Sequence, residues 1–282
     1  MKAIFAACLL TVSATAVAET KRDIYDIMYL PNAGTAYGFT EANLIRGNFM
    51  SEDKVKTERD GYQFTQTLGY AFSNRFSLQA DVNWLQTKVR TSGISSYDQE
   101  GLSDPTVTAR YRLIDDSHSL DLIAEGLIST GDAETKSNGD EDNKQGGAVY
   151  KIGAQYGLKS ENFQWAVLAK YIRNMEATED LSGVGKLDSN AHNAYQVRGD
   201  LLGKFSERNF ARLFLGVDVT DGFGGDVSKT APATAYTVGG EYQHLCTENF
   251  LFRAGLNVQE IYQDKADQNT NVKLLVGANY QF

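Results

Sequence analysis

The sequence predicts an all-β protein: a closed antiparallel transmembrane β-barrel of twelve strands with both termini on the periplasmic side. Three observations predict it. Segments of about 10 residues alternate apolar and polar positions, their connections alternate short and long, and aromatic residues gather beside the short ones.

The chain opens on a processing segment rather than a strand. Lys2 supplies a positive start, Ala3 to Val12 is mostly apolar, and Ala16-Val17-Ala18 has the small-x-small form of a cleavage site. That apolar run is too short to span a bilayer, so residues 1–18 are expected to be a signal peptide. Residues 19–35 form a leader with an apolar patch (Ile24, Ile27, Tyr29, Leu30) ahead of Pro31-Asn32-Ala33-Gly34. This leader is expected on the periplasmic side, either tucked into the barrel mouth as a partial plug or lying beneath the wall. Residues 36–282 make the barrel.

Its first strand, 36–50, is the least regular, and 62–72, 76–89, 104–113, 119–128, 147–158 and 163–175 follow. In the next segment Tyr195, Val197, Gly199, Leu201 and Phe205 oppose Gln196, Arg198, Asp200 and Lys204. Ala211, Leu213, Leu215, Val217 and Val219 oppose Arg212, Phe214, Gly216, Asp218 and Thr220. The same alternation runs through 236–243 and 250–259. In the final segment Val272, Leu274, Val276, Ala278, Tyr280 and Phe282 share one face.

Alternation alone also describes a soluble sandwich, whose apolar faces pack together. The connections distinguish the two. Short ones fall at 73–75, 115–118, 159–162, 206–209 and 245–249, and long ones near 51–61, 90–103, 129–146, 176–192, 221–234 and 262–270. That rhythm matches the periplasmic turns and outer loops of a membrane barrel. Aromatic residues flank the short turns: Tyr70, Phe72 and Phe76, then Phe163 and Trp165, Phe205 and Phe210, Tyr242, Phe250 and Phe252, and finally Tyr280 and Phe282. A thinner row (Tyr62, Trp84, Tyr171, Tyr195, Tyr236) marks the other boundary. Rings with a polar edge are stable at both headgroup levels. Closure follows, because an open sheet edge in hydrocarbon leaves backbone groups unpaired at several kcal/mol each.

Composition agrees and excludes other classes. With 15 Tyr, 14 Phe and only 3 Pro among 282 residues, the chain suits long uninterrupted strands. Loss of Lys2 takes the formal charge from −9 to −10, and no basic cluster offsets it, so nucleic acid is not an expected partner. Cys8 leaves with the signal, and Cys246 then has no intramolecular partner.

The faces opposite the lipid carry Asp81, Arg110, Arg112, Asp121, Glu125, Lys151, Lys170, Arg198, Asp200, Arg212, Asp218, Glu241, Arg253 and Lys273. These are the candidate lumen-lining residues. Two readings stay open. Either they pair across strands and fill the barrel as a polar core, or some of them line a water-filled passage and set solute preference. Gly153, Gly216, Gly239, Gly255 and Gly277 share that face and argue for room inside, for inserted loops or for wall curvature.

No catalytic, cofactor or metal set is expected, and the chain is not expected to be an enzyme. His118, His192 and His244 lack the His-x-Ser spacing of outer-membrane phospholipases, and no Asp-His pair is present. Asp132, Glu134, Asp140, Glu141 and Asp142 form an acidic loop whose spacing matches no calcium motif. The 129–146 loop is too polar for the folded-in constriction of a trimeric porin, which favours a monomer.

Two local patterns carry a family resemblance. Tyr280-Gln281-Phe282 resembles the C-terminal signature read by the outer-membrane assembly machinery. Gly101-Leu102-Ser103-Asp104-Pro105, followed by Ala109-Arg110-Tyr111-Arg112-Leu113, resembles a segment of the outer-membrane proteins associated with the MetA pathway of phenol degradation. The resemblance implies a small-molecule channel or transporter in the outer membrane of a Gram-negative-type bacterium. Its expected partners are outer-membrane lipids and lipopolysaccharide, the assembly machinery and small solutes. A closed barrel that is structural or binds a surface partner is the alternative, and an outer-membrane hydrolase the third.

Overall fold

In hydrocarbon every strand N–H and C=O must find another strand, and the chain meets this demand by closing on itself. The computed structural model describes residues 23–51, 55–92, 96–135, 141–181, 185–224, 229–263 and 266–282. The expected signal peptide lies outside the described residues. Twelve antiparallel strands form one ring: β1 (Ala36–Ser51), β2 (Lys56–Ser73), β3 (Phe76–Thr91), β4 in two pieces (Tyr97–Leu102 and Thr106–Asp115), β5 (His118–Leu127), β6 (Val149–Lys159), β7 (Phe163–Asn174), β8 (His192–Ser206), β9 (Asn209–Thr220), β10 (Ala233–Thr247), β11 (Phe250–Gln263) and β12 (Ala266–Gln281). Each strand pairs with its chain neighbours, and β12 closes on β1 in the register Tyr37↔Gln281 to Ser51↔Ala266.

All five short connections come out as tight turns at one end of the ring. At the long-loop end several strands run further than their alternation does. Lys56–Gly61 continues β2, and Ala266–Asn271 continues β12. Above the bilayer neither face meets lipid, so the apolar face that marks a strand in the sequence is no longer required.

The outer face is apolar and exposed, with Leu44, Leu68, Ile152, Leu213, Leu215 and Leu274 projecting from it. Aromatic pairs mark its two rims: Tyr70–Phe72 and Tyr280–Phe282 at the short-turn end, Tyr62–Trp84 and Tyr171–Tyr195 at the other. Phe210 corrects the expected row. It is fully buried and its ring stacks on Tyr25 at 3.9 Å, inside the barrel.

The two pieces of β4 replace the single expected strand 104–113. Both pair with β3, and they are interrupted at Ser103-Asp104-Pro105, where Pro105 has no N–H to give the ladder. Asp104 turns inward and is almost wholly buried. Its carboxylate accepts from Thr130 N and Oγ1, both at 2.7 Å, and from Gln145 N at 2.8 Å. These bonds draw part of the 129–146 loop down against the inner wall, so its polarity does not keep it out of the barrel. Glu100 N and Glu141 O add a backbone bond at 3.0 Å beside the upper piece of β4.

Candidate functional site

The inner space is layered. At the short-turn end the leader enters the mouth: Ile24, Met28 and Leu30 are buried, alongside the inward-facing Ala71, Leu202, Phe210 and Leu251. Polar contacts fix it. Ile27 N donates to Gln164 Oε1 at 3.1 Å, Tyr29 Oη to Gln281 Oε1 at 2.7 Å, and Lys159 Nζ to Asp26 Oδ2 at 2.6 Å. Arg110 Nη1 donates to Tyr29 O at 2.9 Å, and Arg112 Nη2 donates to Met28 O. The two guanidinium groups thereby supply donors to two carbonyls of the leader's main chain. Burial pushes the Asp26 carboxyl up from its ordinary range, although Lys159 and Gln164 pull against it.

The next layer is ionic. Asp121 is fully buried between two guanidinium groups: Arg110 Nε reaches Oδ2 at 2.6 Å and Arg112 Nε reaches Oδ1 at 2.7 Å. Asp115, on the same strand as both arginines, takes Arg112 Nη1 at 3.1 Å. On the neighbouring wall Glu125 joins Lys151 at 3.3 Å and Lys170 at closer range.

A longer ladder runs over β8 to β11 and on to β1. Arg198 and Arg212 both hold Asp200, at 2.9 and 2.7 Å. Arg212 also approaches Glu241 at 4.0 Å, Arg253 bonds Glu241 at 3.5 Å, and Arg253 reaches Glu41 at 3.2 Å. Arg198 lies over the Phe214 ring at 4.1 Å, a cation–π contact. Asp218 accepts from Gln196 at 2.7 Å, Asp81 from Thr67 and Gln79, and Lys273 stands on the same inner face as Asn271 beside β1.

The partners of these pairs sit on the same strand or on neighbouring strands, except in two places. Lys170 of β7 reaches Glu125 of β5 across β6, and Arg253 of β11 reaches Glu41 of β1 across β12. In both places the intervening residue is glycine. Gly153 lies opposite Lys170, and Gly277 lies opposite both Arg253 and Glu41. Two strand spacings are roughly 9.6 Å, which two long side chains cover only if nothing stands between them. Gly153 and Gly277 are therefore seats rather than empty room. A Cβ at Gly255 would meet Glu241 Cγ at 2.8 Å, and one at Gly239 would collide with the Phe214 ring.

This yields a testable contrast. At Gly153 a Cβ would collide with the Ala169 carbonyl oxygen and stand 2.7 Å from Lys170 Cγ, whereas at Gly216 the nearest atom is 3.7 Å away. Gly153→Val is expected to lift Lys170 off Glu125 and cost about 1–3 kcal/mol. Gly216→Val should stay within about 0.5 kcal/mol. Urea unfolding of the two variants in lipid, followed by the gel shift between folded and unfolded barrel, measures the difference.

Sequence reading missed several participants. Glu41 lies in the least regular strand, Asp104 in the β4 interruption, Asp115 and Lys159 beside short turns, and Asp26 in the leader with Asp23, which Lys159 reaches at 3.4 Å. The histidines pair elsewhere: His118 with Tyr156 Oη at 2.7 Å, His244 with Asn209 Oδ1 at 2.8 Å, and His192 with the Asn190 carbonyl at 3.4 Å. Among the described residues no group of three metal-ligating side chains converges, and Asp140 of the acidic loop lies outside them. Asp142 instead accepts from Glu134 N at 3.1 Å and, as a turn residue does, from Lys144 N at 3.3 Å.

A closed ring with an apolar outside, aromatic rims and an ionic inside defines an outer-membrane β-barrel protein. The family model described as the outer membrane protein beta-barrel domain matches residues 4–194. The chain belongs to that family and resides in the outer membrane of a Gram-negative bacterium.

Among solved structures, the COG4313 outer membrane channel from Pseudomonas putida F1 is similar in fold at TM-score 0.63 and 15% identity, covering 93% of this chain and 99% of that one. The translocator domain of the autotransporter NalP from Neisseria meningitidis is similar at TM-score 0.57 and 13% identity, covering 89% and 90%. No curated protein sequence matches the chain. The phenol-degradation resemblance at Gly101–Pro105 is consistent with the channel fold.

Proposed function

We propose that this protein is an outer-membrane channel that passes small solutes passively or with weak selectivity. The observation that carries the reading is the direction of the ion pairs. Among the described residues, the pairs between strands run along the wall and span at most one intervening strand, the two widest laid over Gly153 and Gly277, instead of bridging opposite sides of the barrel. Charges held in this way present a hydrophilic surface without filling the section. The fourteen charged residues named from the sequence are assigned to that inner face, with Arg112, Asp121, Asp200 and Glu241 buried beneath the surface a solute would meet. The short-turn end is assigned to the periplasm, with the leader as a partial plug there.

The same reading extends to the remaining assignments. Residues 1–18 direct export and are removed, and Phe282 presents the terminal strand to the assembly machinery. Leu274 and its outward neighbours meet lipid, and the outer rim meets lipopolysaccharide. A ring that completes its hydrogen bonds within one chain needs no second copy, which supports a monomer. A hydrolase is disfavoured because none of the three histidines has the His-x-Ser spacing of the outer-membrane phospholipases.

The second reading, a closed structural barrel, draws on the leader, whose buried side chains occupy one mouth. Liposomes carrying the folded protein should swell faster than empty ones in small amino acids or sugars. Equal swelling rates favour the closed barrel.

A further inference from the structure

Above the ionic layer a cavity of about 210 Å³ lies under the inward-drawn loop. Its wall joins Gln63 of β2, Asn83 and Leu85 of β3, Ser103 and Asp104 of the β4 interruption, Thr106, Leu127 of β5, and Asn143 and Gln145 of the loop. At roughly 30 Å³ per water the space equals about seven waters, comparable with one six-membered sugar ring.

The chemistry of this wall differs from that of the layer below. Its one charge, Asp104, is already taken by three donors from Thr130 and Gln145. What remains is neutral and two-sided. Asn83 Oδ1 accepts from Thr65 Oγ1 at 2.5 Å, which leaves its NH₂ to donate. Asn143 Nδ2 gives one hydrogen to Gly101 O at 3.4 Å, and its carbonyl is left to accept. Ser103 Oγ accepts from Asn83 N at 3.2 Å and keeps its own hydrogen. The side-chain amides of Gln63 and Gln145 each add two donors and an acceptor. Leu85 and Leu127 supply an apolar surface.

An ionic solute has no free counter-charge here, and its desolvation would go uncompensated. A hydrocarbon would leave the amides unpaired. Hydroxyl groups donate and accept at once and carry no charge, and a sugar ring also offers C–H faces to leucine.

We propose that this cavity is a binding site for a neutral polyol of the size of a single sugar ring. The inference deepens the channel reading by naming a solute class, yet occupancy of the site does not require conduction. The test is calorimetric titration of the folded protein, in amine-oxide detergent free of sugar headgroups, with D-glucose, D-galactose and D-glucuronate.

Saturable binding of at least one neutral hexose is expected. It should weaken at least tenfold for glucuronate and at least tenfold in Asn83→Leu with Gln145→Leu. Gln63→Leu is a second variant on a separate strand, and folded gel migration confirms each barrel. Absence of saturable heat from both hexoses overturns the proposal, as does affinity unchanged in both variants. Bilayer recording separates the two readings: conduction without hexose binding removes the site alone, and hexose binding without conduction removes the channel alone.

Discussion

Ile24→Asp combined with Leu30→Asp should free the leader and raise conductance several-fold. Both side chains are almost fully buried in the short-turn mouth. Burying an aliphatic side chain contributes about 1.5–3 kcal/mol, so the change removes that contribution twice. It also forces two carboxylates to stay in water or be desolvated, and release is cheaper. The ring itself should persist, because its backbone ladder closes between β12 and β1 without the leader.

Acidification works in the opposite sense. The docked Asp26 carboxyl titrates above its ordinary value of 3.8, so the docked state binds the proton more readily than the released one. Docking is therefore strongest below that ordinary value and weakens as pH rises through the raised one. Conductance of the native protein should fall on acidification through this window, and Asp26→Asn should flatten the response. A leader variant with native conductance at all pH values would show that the mouth is not where flow is limited.

Asp121→Ala should have the largest effect on stability. The carboxylate is fully buried and takes charged bonds from both Arg110 and Arg112. Removing it leaves two guanidinium groups facing each other, with Asp115 holding only the second. Loss of one partner from a buried ion network costs about 3–5 kcal/mol, whereas an exposed pair is worth about 0–1 kcal/mol. Urea midpoints in lipid decide between these figures. A change below about 1 kcal/mol means that water reaches this layer freely. Replacing all three residues by apolar ones of similar volume should be far milder than Asp121→Ala, since a whole buried network exchanges for packing at little net cost. The leader would then lose its two arginine contacts, so the triple variant should also conduct more than the native protein.

The barrel was legible in the sequence because lipid imposes a period of two on every spanning segment. Leu274, Val276 and Ala278 must face outward together, and one misplaced register would turn Lys273 into hydrocarbon. The same parity placed Phe210 on the inner face with Arg212 and Phe214. Its apolar character and its place beside a turn suggested the aromatic row instead. The reason for an inward phenylalanine is Tyr25, and no local pattern couples residues so far apart in the chain.

The glycine seats were visible as glycines, but their use depends on which strand lies opposite. Gly277 matters because Arg253 and Glu41 flank it, and Glu41 belongs to the other end of the sequence. The cavity was hidden for a similar reason. Its amides come from two strands and a loop, brought together by the Asp104 anchor and by the loop's bonds to Gly101 and Glu100.

Single-channel recording of the purified, folded protein in planar bilayers tests the central claim most directly. An open, wall-paired interior predicts stable stepwise openings whose ion preference shifts toward cations when Lys170 or Arg198 is neutralised. Silence from folded protein, persisting after the leader is released by Ile24→Asp and Leu30→Asp, would contradict it.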